Sequence, residues 1–224
     1  LRRDAEDSTR DACAPRTGFP GCREEVFRVS SWPRLGVFGG TFDPVHLGHL
    51  ITAQDAAEAM ELDRVLFMPA FRAPLKDRAP AMDDATRVAL LEAAVAADER
   101  FAVSRLELDR GGVSYTIDTV QELRRLHPEH EIFWIIGTDQ AARLPQWHRL
   151  EELARLLEFI VLSRPGCEVR QEALPDFLRL HFVRAHVFDI SSSEIRDRVA
   201  KGLPVRVFLP ASVADRIEQT GLYR

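Results

Sequence analysis

Cysteine is scarce in this 224-residue sequence, and the three present, Cys13, Cys22 and Cys167, form neither a CxxC pair nor a zinc-ligand set. An odd number argues against a disulfide framework, so a reducing, cytoplasmic setting is expected. Also missing are any run of about 18 apolar residues and the apolar core of a signal peptide, and with them the expectation of a membrane partner. Positive charge is not in excess either. Lys and Arg total 30 against 35 Asp and Glu, a net charge of −5. That balance gives no general hold on nucleic acid, while leaving room for a small phosphorylated ligand met by local cations. No internal repeat or low-complexity tract is found.

What is present is ordinary soluble-domain material, 46% hydrophobic and 29% charged, and enough of it for one sizeable core. Residues 1–33, rich in Arg, Asp, Glu, Ser and Pro without apolar period, read as a mobile extension. Residues 34–224 read as a single domain. Short apolar strands at Leu35–Phe38, Arg64–Pro69, Phe101–Val103, Ile132–Ile136, Phe159–Leu162 and Phe182–Val183, with Val187–Phe188, alternate with helical stretches. The helices are expected from His46 to Met60, Asp83 to Ala97, Ile117 to Leu126, Arg149 to Leu156, Glu194 to Ala200 and Pro210 to Gln219. Such alternation predicts an α/β fold, a Rossmann-like doubly wound, mostly parallel sheet with helices on both faces.

The chain is organised around Leu35–Leu50. An apolar strand runs into Gly39-Gly40, read as a tight exit with positive φ, followed by the turn formers Thr41, Asp43 and Pro44. A helix then opens at His46-Leu47-Gly48-His49. Three helical residues turn by about 300°, so the imidazoles of His46 and His49 fall within roughly 60° of one another and about 4.5 Å apart along the axis. They share a face at a helix N-terminus, where N–H groups and the dipole favour an anion such as phosphate. Surface decoration or half of a metal site would also suit a His pair; the intervening Gly48, which lets a ligand approach, favours the anion.

Later segments add polar groups at comparable places. The loop Ala70–Pro80 carries Arg72, Lys76 and Arg78. Gly111–Thr116 leads into a helix with Thr116 as a plausible N-cap, beside Tyr115. The strand exit Gly137-Thr138-Asp139 offers a carboxylate suited either to capping a helix or to a sugar hydroxyl. Trp147 follows in Leu144–His148. Ser191-Ser192-Ser193 supply an N-cap, and Arg196 one turn inside adds a cation, making a second phosphate-ready helix start.

The string GGTFDPVHLGH resembles the signature of the nucleotidyltransferase superfamily that carries an (H/T)xGH motif. In this form it is similar to the bacterial nicotinate-nucleotide adenylyltransferases. The segments Ser114-Tyr115-Thr116, Ile136–Asp139, Leu144–Trp147, Arg164-Pro165-Gly166, Ile190–Arg196 and Gly221-Leu222-Tyr223 follow that family in order, and the likeness covers roughly residues 35–224. The resemblance implies transfer of AMP from ATP to nicotinate mononucleotide, with Mg²⁺ bound through the ATP phosphates, giving deamido-NAD and pyrophosphate. It implies that His46 and His49 meet the ATP phosphates, His49 being the more important for transition-state charge. Ser192 and Arg196 would hold the β- and γ-phosphates, and Gly39, Gly40, Thr41 and Phe42 would line the nucleotide site, largely through backbone. Asp139 would take a ribose hydroxyl and Trp147 would stack on the pyridine ring. Tyr115 and Thr116 would offer N–H groups to the nicotinate carboxylate, with Lys76 nearby.

One departure is visible, Leu75 standing where the family commonly has His, so Lys76 lacks an imidazole neighbour. Competing expectations are a phosphopantetheine adenylyltransferase, a catalytically dead nucleotide-binding regulator, and a class I aminoacyl-tRNA synthetase fragment. The acidic charge counts against the last. A homo-oligomer is left open.

Overall fold

Every residue from Ile132 to Ile136 is apolar, and successive strand side chains point to opposite faces, so such a strand needs packing on both sides. The computed structural model, which describes residues 33–75, 79–163 and 174–224, supplies it. Phe133 and Ile135 join one buried cluster with Phe67, Ile160 and Leu162. Ile132, Trp134 and Ile136 join a second, with Val37, Phe159 and Val161.

The strands are β1 (Arg34–Gly40), β2 (Arg64–Pro69), β3 (Phe101–Val103), β4 (Glu131–Gly137), β5 (Glu158–Ser163) and β6 (Leu180–Arg184). They form one sheet in the order β3-β2-β1-β4-β5-β6, and every pairing is parallel. β1 is central, its Val37 in register with Leu66 of β2 and Trp134 of β4. The helices are α1 (Leu47–Ala59), α2 (Asp84–Val95), α3 (Leu106–Arg110), α4 (Thr116–Leu126), α5 (Thr138–Ala141), α6 (Leu150–Leu153), α7 (Ser192–Ala200) and α8 (Ala211–Thr220). Ala53 and Ala56 of α1, Leu91 of α2 and Ile217 of α8 bury against the first face. Ile117 and Val120 of α4 and Leu153 of α6 bury against the second, so helices cover both faces as expected.

The chain moves outward from β1 to β2 and β3, then returns to lay β4 on the other flank. Where the order reverses, helices leave in opposite directions and a crevice opens beyond the strand ends, the usual ligand position in open α/β sheets. The ends concerned are Gly40 of β1 and Gly137 of β4.

Several boundaries differ from the sequence reading. Helix α4 opens one residue early, with Tyr115 rather than Thr116 at the N-cap, and Ser192 is already helical in α7. Helix α6 is a single turn: it starts one residue late, after Arg149 in a left-handed conformation (φ 54°), and ends at Leu153 rather than Leu156. Val187–Phe188 adds no strand: the neighbouring His186 N–H donates to Asp55 on α1 at 2.7 Å, drawing the chain off the sheet edge. The five-residue α3 is too short to show a period in the sequence. Residues 1–32, Lys76 and the Arg164-Pro165-Gly166 segment lie outside the described residues. Among the described residues no helix is long and apolar enough to cross a membrane.

Candidate active site

The glycines at the end of β1 do a different job from the one their sequence suggests. Neither Gly39 nor Gly40 has positive φ; the left-handed residue is Phe42, at φ 50°. The expectation of a positive-φ glycine exit is therefore corrected. What forbids a side chain is close approach. A Cβ on Gly39 would lie 2.9 Å from the indole of Trp134, and one on Gly40 would lie 2.9 Å from the ring of Phe42. A non-glycine residue in the left-handed region costs roughly 1–2 kcal/mol, so Phe42 needs tethers. It has them: its ring is buried and packs edge-on against Phe38 at 5.7 Å.

Beyond this turn the two imidazoles stack, with ring centroids 3.7 Å apart and planes 30° from parallel. The His46 N–H donates to His49 Nδ1 at 3.2 Å, so His49 caps its own helix. An Nδ1 that accepts places the ring proton of the neutral form on Nε2, making that edge a donor. Phe42 holds the same ring from the side at 5.0 Å. Gly48 makes the stack possible, since a Cβ there would lie 3.0 Å from His46 Nδ1.

Helix α7 docks directly on this turn. Ser192 Oγ donates to the Pro44 carbonyl at 2.8 Å, and Arg196 Nη1 donates to the Asp43 carbonyl at 2.7 Å. The two helix starts singled out in the sequence therefore meet. In this structure Ser192 and Arg196 tie α7 to the turn; a guanidinium has five N–H groups, so these bonds occupy only part of Arg196's donor capacity. Asp43, read from sequence as a turn former, is buried and central: its carboxylate accepts from the Ala81 N–H at 2.6 Å and from the Tyr223 hydroxyl at 2.9 Å.

On the other side of the turn lies a cavity of about 490 Å³ at the topological switch point. Gly39, Gly40, Thr41, Tyr115, Thr116, Asp139 and Trp147 all line it. His46, His49, Ser192 and Arg196 are not among its walls, and Phe42 is buried behind it. The Trp147 ring stands edge-on to Phe159 at 6.0 Å, and the Tyr115 ring lies 4.6 Å from that of His148. The Tyr115 N–H donates to the Val113 carbonyl at 2.9 Å. The expected pair of N–H donors at Tyr115 and Thr116 thus narrows to Thr116 and the amides after it in the first turn of α4, whose N-terminus carries no side-chain cap.

Sequence reading missed Glu107, Trp134, Arg143 and His148 in this lining. Glu107 is the most consequential. It lies on α3, is 3% exposed, and accepts from the Thr119 hydroxyl at 2.8 Å. Burial pushes its carboxyl above the usual range, against the opposing pull of hydrogen bonds from Thr119 and Ser114 and the charge of Arg110. Ser114 Oγ also accepts from the Phe71 N–H at 3.0 Å, so this acid ties the Ser114-Tyr115-Thr116 segment to the loop after β2. No signal short of the fold marks Glu107, because α3 has no period and its partners lie seven and twelve residues ahead.

A metal held by the protein alone does not fit here. Among the described residues no group of three or more His, Cys, Asp or Glu is arranged to hold one. Asp43, three residues before His46, has both carboxylate oxygens engaged, by Ala81 and by Tyr223.

Comparison with known proteins gives a consistent result. The cytidylyltransferase-like family model matches residues 37–198. A protein from Opitutus terrae named "Probable nicotinate-nucleotide adenylyltransferase" is 46% identical over 191 residues, covering 85% of this chain and 98% of the relative. A Thermus thermophilus protein of the same name is 45% identical over 193 residues, covering 85% of this chain and all of its own length. The fold is shared with Plasmodium falciparum nicotinic acid mononucleotide adenylyltransferase, solved with NaAD, at a TM-score of 0.72 and 18% identity, over 85% of this chain and 97% of that one.

Proposed function

The chain belongs to the cytidylyltransferase-like family and groups there with the nicotinate-nucleotide adenylyltransferases, and from this premise we propose how its residues carry out the family's reaction. The enzyme transfers the adenylyl group of ATP to nicotinate mononucleotide, a step of NAD biosynthesis. The observation that carries this reading is that the turn after β1 joins two groups: its Gly39, Gly40 and Thr41 line the cavity with Tyr115, Thr116 and Trp147, while its Pro44 end receives the α7 start and leads into the stacked His46 and His49.

The acceptor phosphate is already anionic and needs no general base. One of its oxygens attacks the α-phosphorus of ATP; that P–O bond forms as the bond from the α-phosphorus to the α–β bridging oxygen breaks, and pyrophosphate leaves with the electron pair. Alignment and charge stabilisation are what remain for the protein to supply. We assign the α-phosphate to the backbone of Gly40, Thr41 and Phe42 and the developing charge to His49, with His46 stacked against it. Arg196 and Ser192 serve the outer phosphates. Asp139 takes a ribose hydroxyl, and Trp147 stacks on the pyridine ring. The nicotinate carboxylate sits at the α4 N-terminus, where the Thr116 amide and the helix dipole suit an anion; an amide would present NH₂ to donors there and leave them unmatched. Lys76 remains a candidate for the acceptor phosphate. Mg²⁺ would belong to the substrate, arriving on the ATP phosphates and neutralising part of their charge.

Incubation with ATP, Mg²⁺ and, in turn, nicotinate mononucleotide, nicotinamide mononucleotide and phosphopantetheine, with pyrophosphate as the readout, tests the reaction. Release is expected with the nicotinate form above the others; no release with any acceptor overturns it. His49→Ala is expected to lower kcat by about 100-fold or more with little change in melting temperature.

A further inference from the structure

Helix α2 buries an arginine where a leucine would pack. Arg87 is fully buried beside Val88 and Leu91. Its Nη1 donates to the Thr41 carbonyl at 2.7 Å, and its Nη2 donates to the Ala70 carbonyl at 2.9 Å and pairs with Asp84 at 2.5 Å. Its Nε is buried without a hydrogen-bond partner. A guanidinium placed this deep is costly unless its partners matter. Two of the three partners are carbonyls of segments that wall the cavity, the phosphate turn after β1 and the loop after β2.

The bond to Thr41 has a directional consequence. The Thr41–Phe42 peptide is trans, the described cis bond being Asp43–Pro44, and in a trans peptide the C=O and N–H point opposite ways. With the carbonyl drawn inward to Arg87, the Phe42 N–H faces away from the core. Thr41 lines the cavity and Arg87 does not. The same bond restrains a peptide adjoining the left-handed Phe42, and it sets a fixed cation beneath the turn.

We propose that Arg87 is a positioning residue for adenylyl transfer: it turns the Thr41–Phe42 peptide so that the Phe42 N–H meets the nucleotide's α-phosphate, and it fixes the loop after β2 in the same frame. This rests on the adenylyl-transfer reading above. A tie serving only the fold would act differently, since partial unfolding lowers the active fraction and leaves each KM alone.

Arg87→Lys and Arg87→Met separate the two. With ATP and nicotinate mononucleotide varied independently, both variants are expected to raise KM for ATP by about 10-fold and lower kcat, with KM for the acceptor within about 2-fold of the parent. Lys, which keeps the charge without the fork, is expected to be the milder. A fall in kcat that matches the folded fraction, with both KM values unchanged, overturns the proposal. Should both variants fail to fold, the unaltered protein decides. The backbone amide resonance of Phe42 is expected to move downfield on adding ATP, and no movement at saturation overturns the proposal. That titration needs no turnover. A parent that binds ATP with the Phe42 shift yet releases no pyrophosphate fails the reaction reading, whereas one that releases pyrophosphate without the shift fails this proposal alone.

Discussion

The hydroxyl of Tyr223, beyond α8, donates to Asp43 Oδ1 at 2.9 Å across 180 residues of sequence. The other oxygen of Asp43 accepts from Ala81 at 2.6 Å, and its carbonyl is held by Arg196. One buried carboxylate thus joins the turn after β1, the segment before α2 and the last residues of the domain, while the adjoining carbonyl binds α7. Burial, and then the negative charge of Asp43, push the Tyr223 phenol well above its ordinary 10. A raised acid pKa in the fold means that the latch's stability is fully present below about pH 10 and is lost only as pH rises beyond it.

Tyr223→Phe removes the hydroxyl and leaves a buried carboxylate oxygen unmatched. The loss is expected to be about 1–3 kcal/mol, a melting temperature lower by several degrees at pH 7. Because Asp43 anchors the turn, kcat should fall as well. An unchanged melting temperature would show that Asp43 finds another donor.

Gly48→Ala sets two effects against each other. Alanine favours a helix by up to about 1 kcal/mol over glycine, so the fold should hold. Its Cβ, however, would lie 3.0 Å from His46 Nδ1 and push that ring off His49. Turnover is expected to fall by about 10-fold or more while thermal stability stays within about 1 kcal/mol of the parent. Full activity in the folded variant would sink the role given to the stack.

For Glu107 the sign of the pH effect is the test. Its carboxyl is raised by burial, so between its ordinary 4.5 and its higher folded value the folded state holds the proton better than the unfolded chain, and stability falls as pH climbs through that window. Glu107→Gln keeps an acceptor for Thr119 without the charge. Its melting temperature relative to the parent is expected to improve from pH 4.5 to pH 8. Glu107→Leu removes the acceptor and should lose about 1–3 kcal/mol and raise KM for the acceptor mononucleotide, by loosening Ser114–Thr116. A parent-to-Gln difference that is flat across this pH range would refute the burial argument.

Much of the fold and of the candidate site's frame could be read without coordinates, because its logic is local. Apolar runs of strand length, helix starts marked by Ser191–Ser193, and His46 and His49 three residues apart are features within a few residues of each other, and the parallel sheet followed from their alternation. Residues whose meaning lies in a distant partner escaped. Asp43 reads in the sequence only as a turn former, and nothing local singles out Glu107 or Arg87. Gly39 suggested a turn conformation when its real constraint is the indole of Trp134.

By itself, then, the sequence determined the alternating α/β pattern, the glycine-rich turn with its histidine pair, and the resemblance that those motifs carry. Only the tertiary structure decided that Tyr223 and Ala81 would hold Asp43, that Arg87 would fix the Thr41 carbonyl, and that Glu107 would lie buried against the cavity. Periodicity and capping act over one or two turns and leave a mark in neighbouring residues. A buried hydrogen bond between segments 46 or 180 residues apart leaves none.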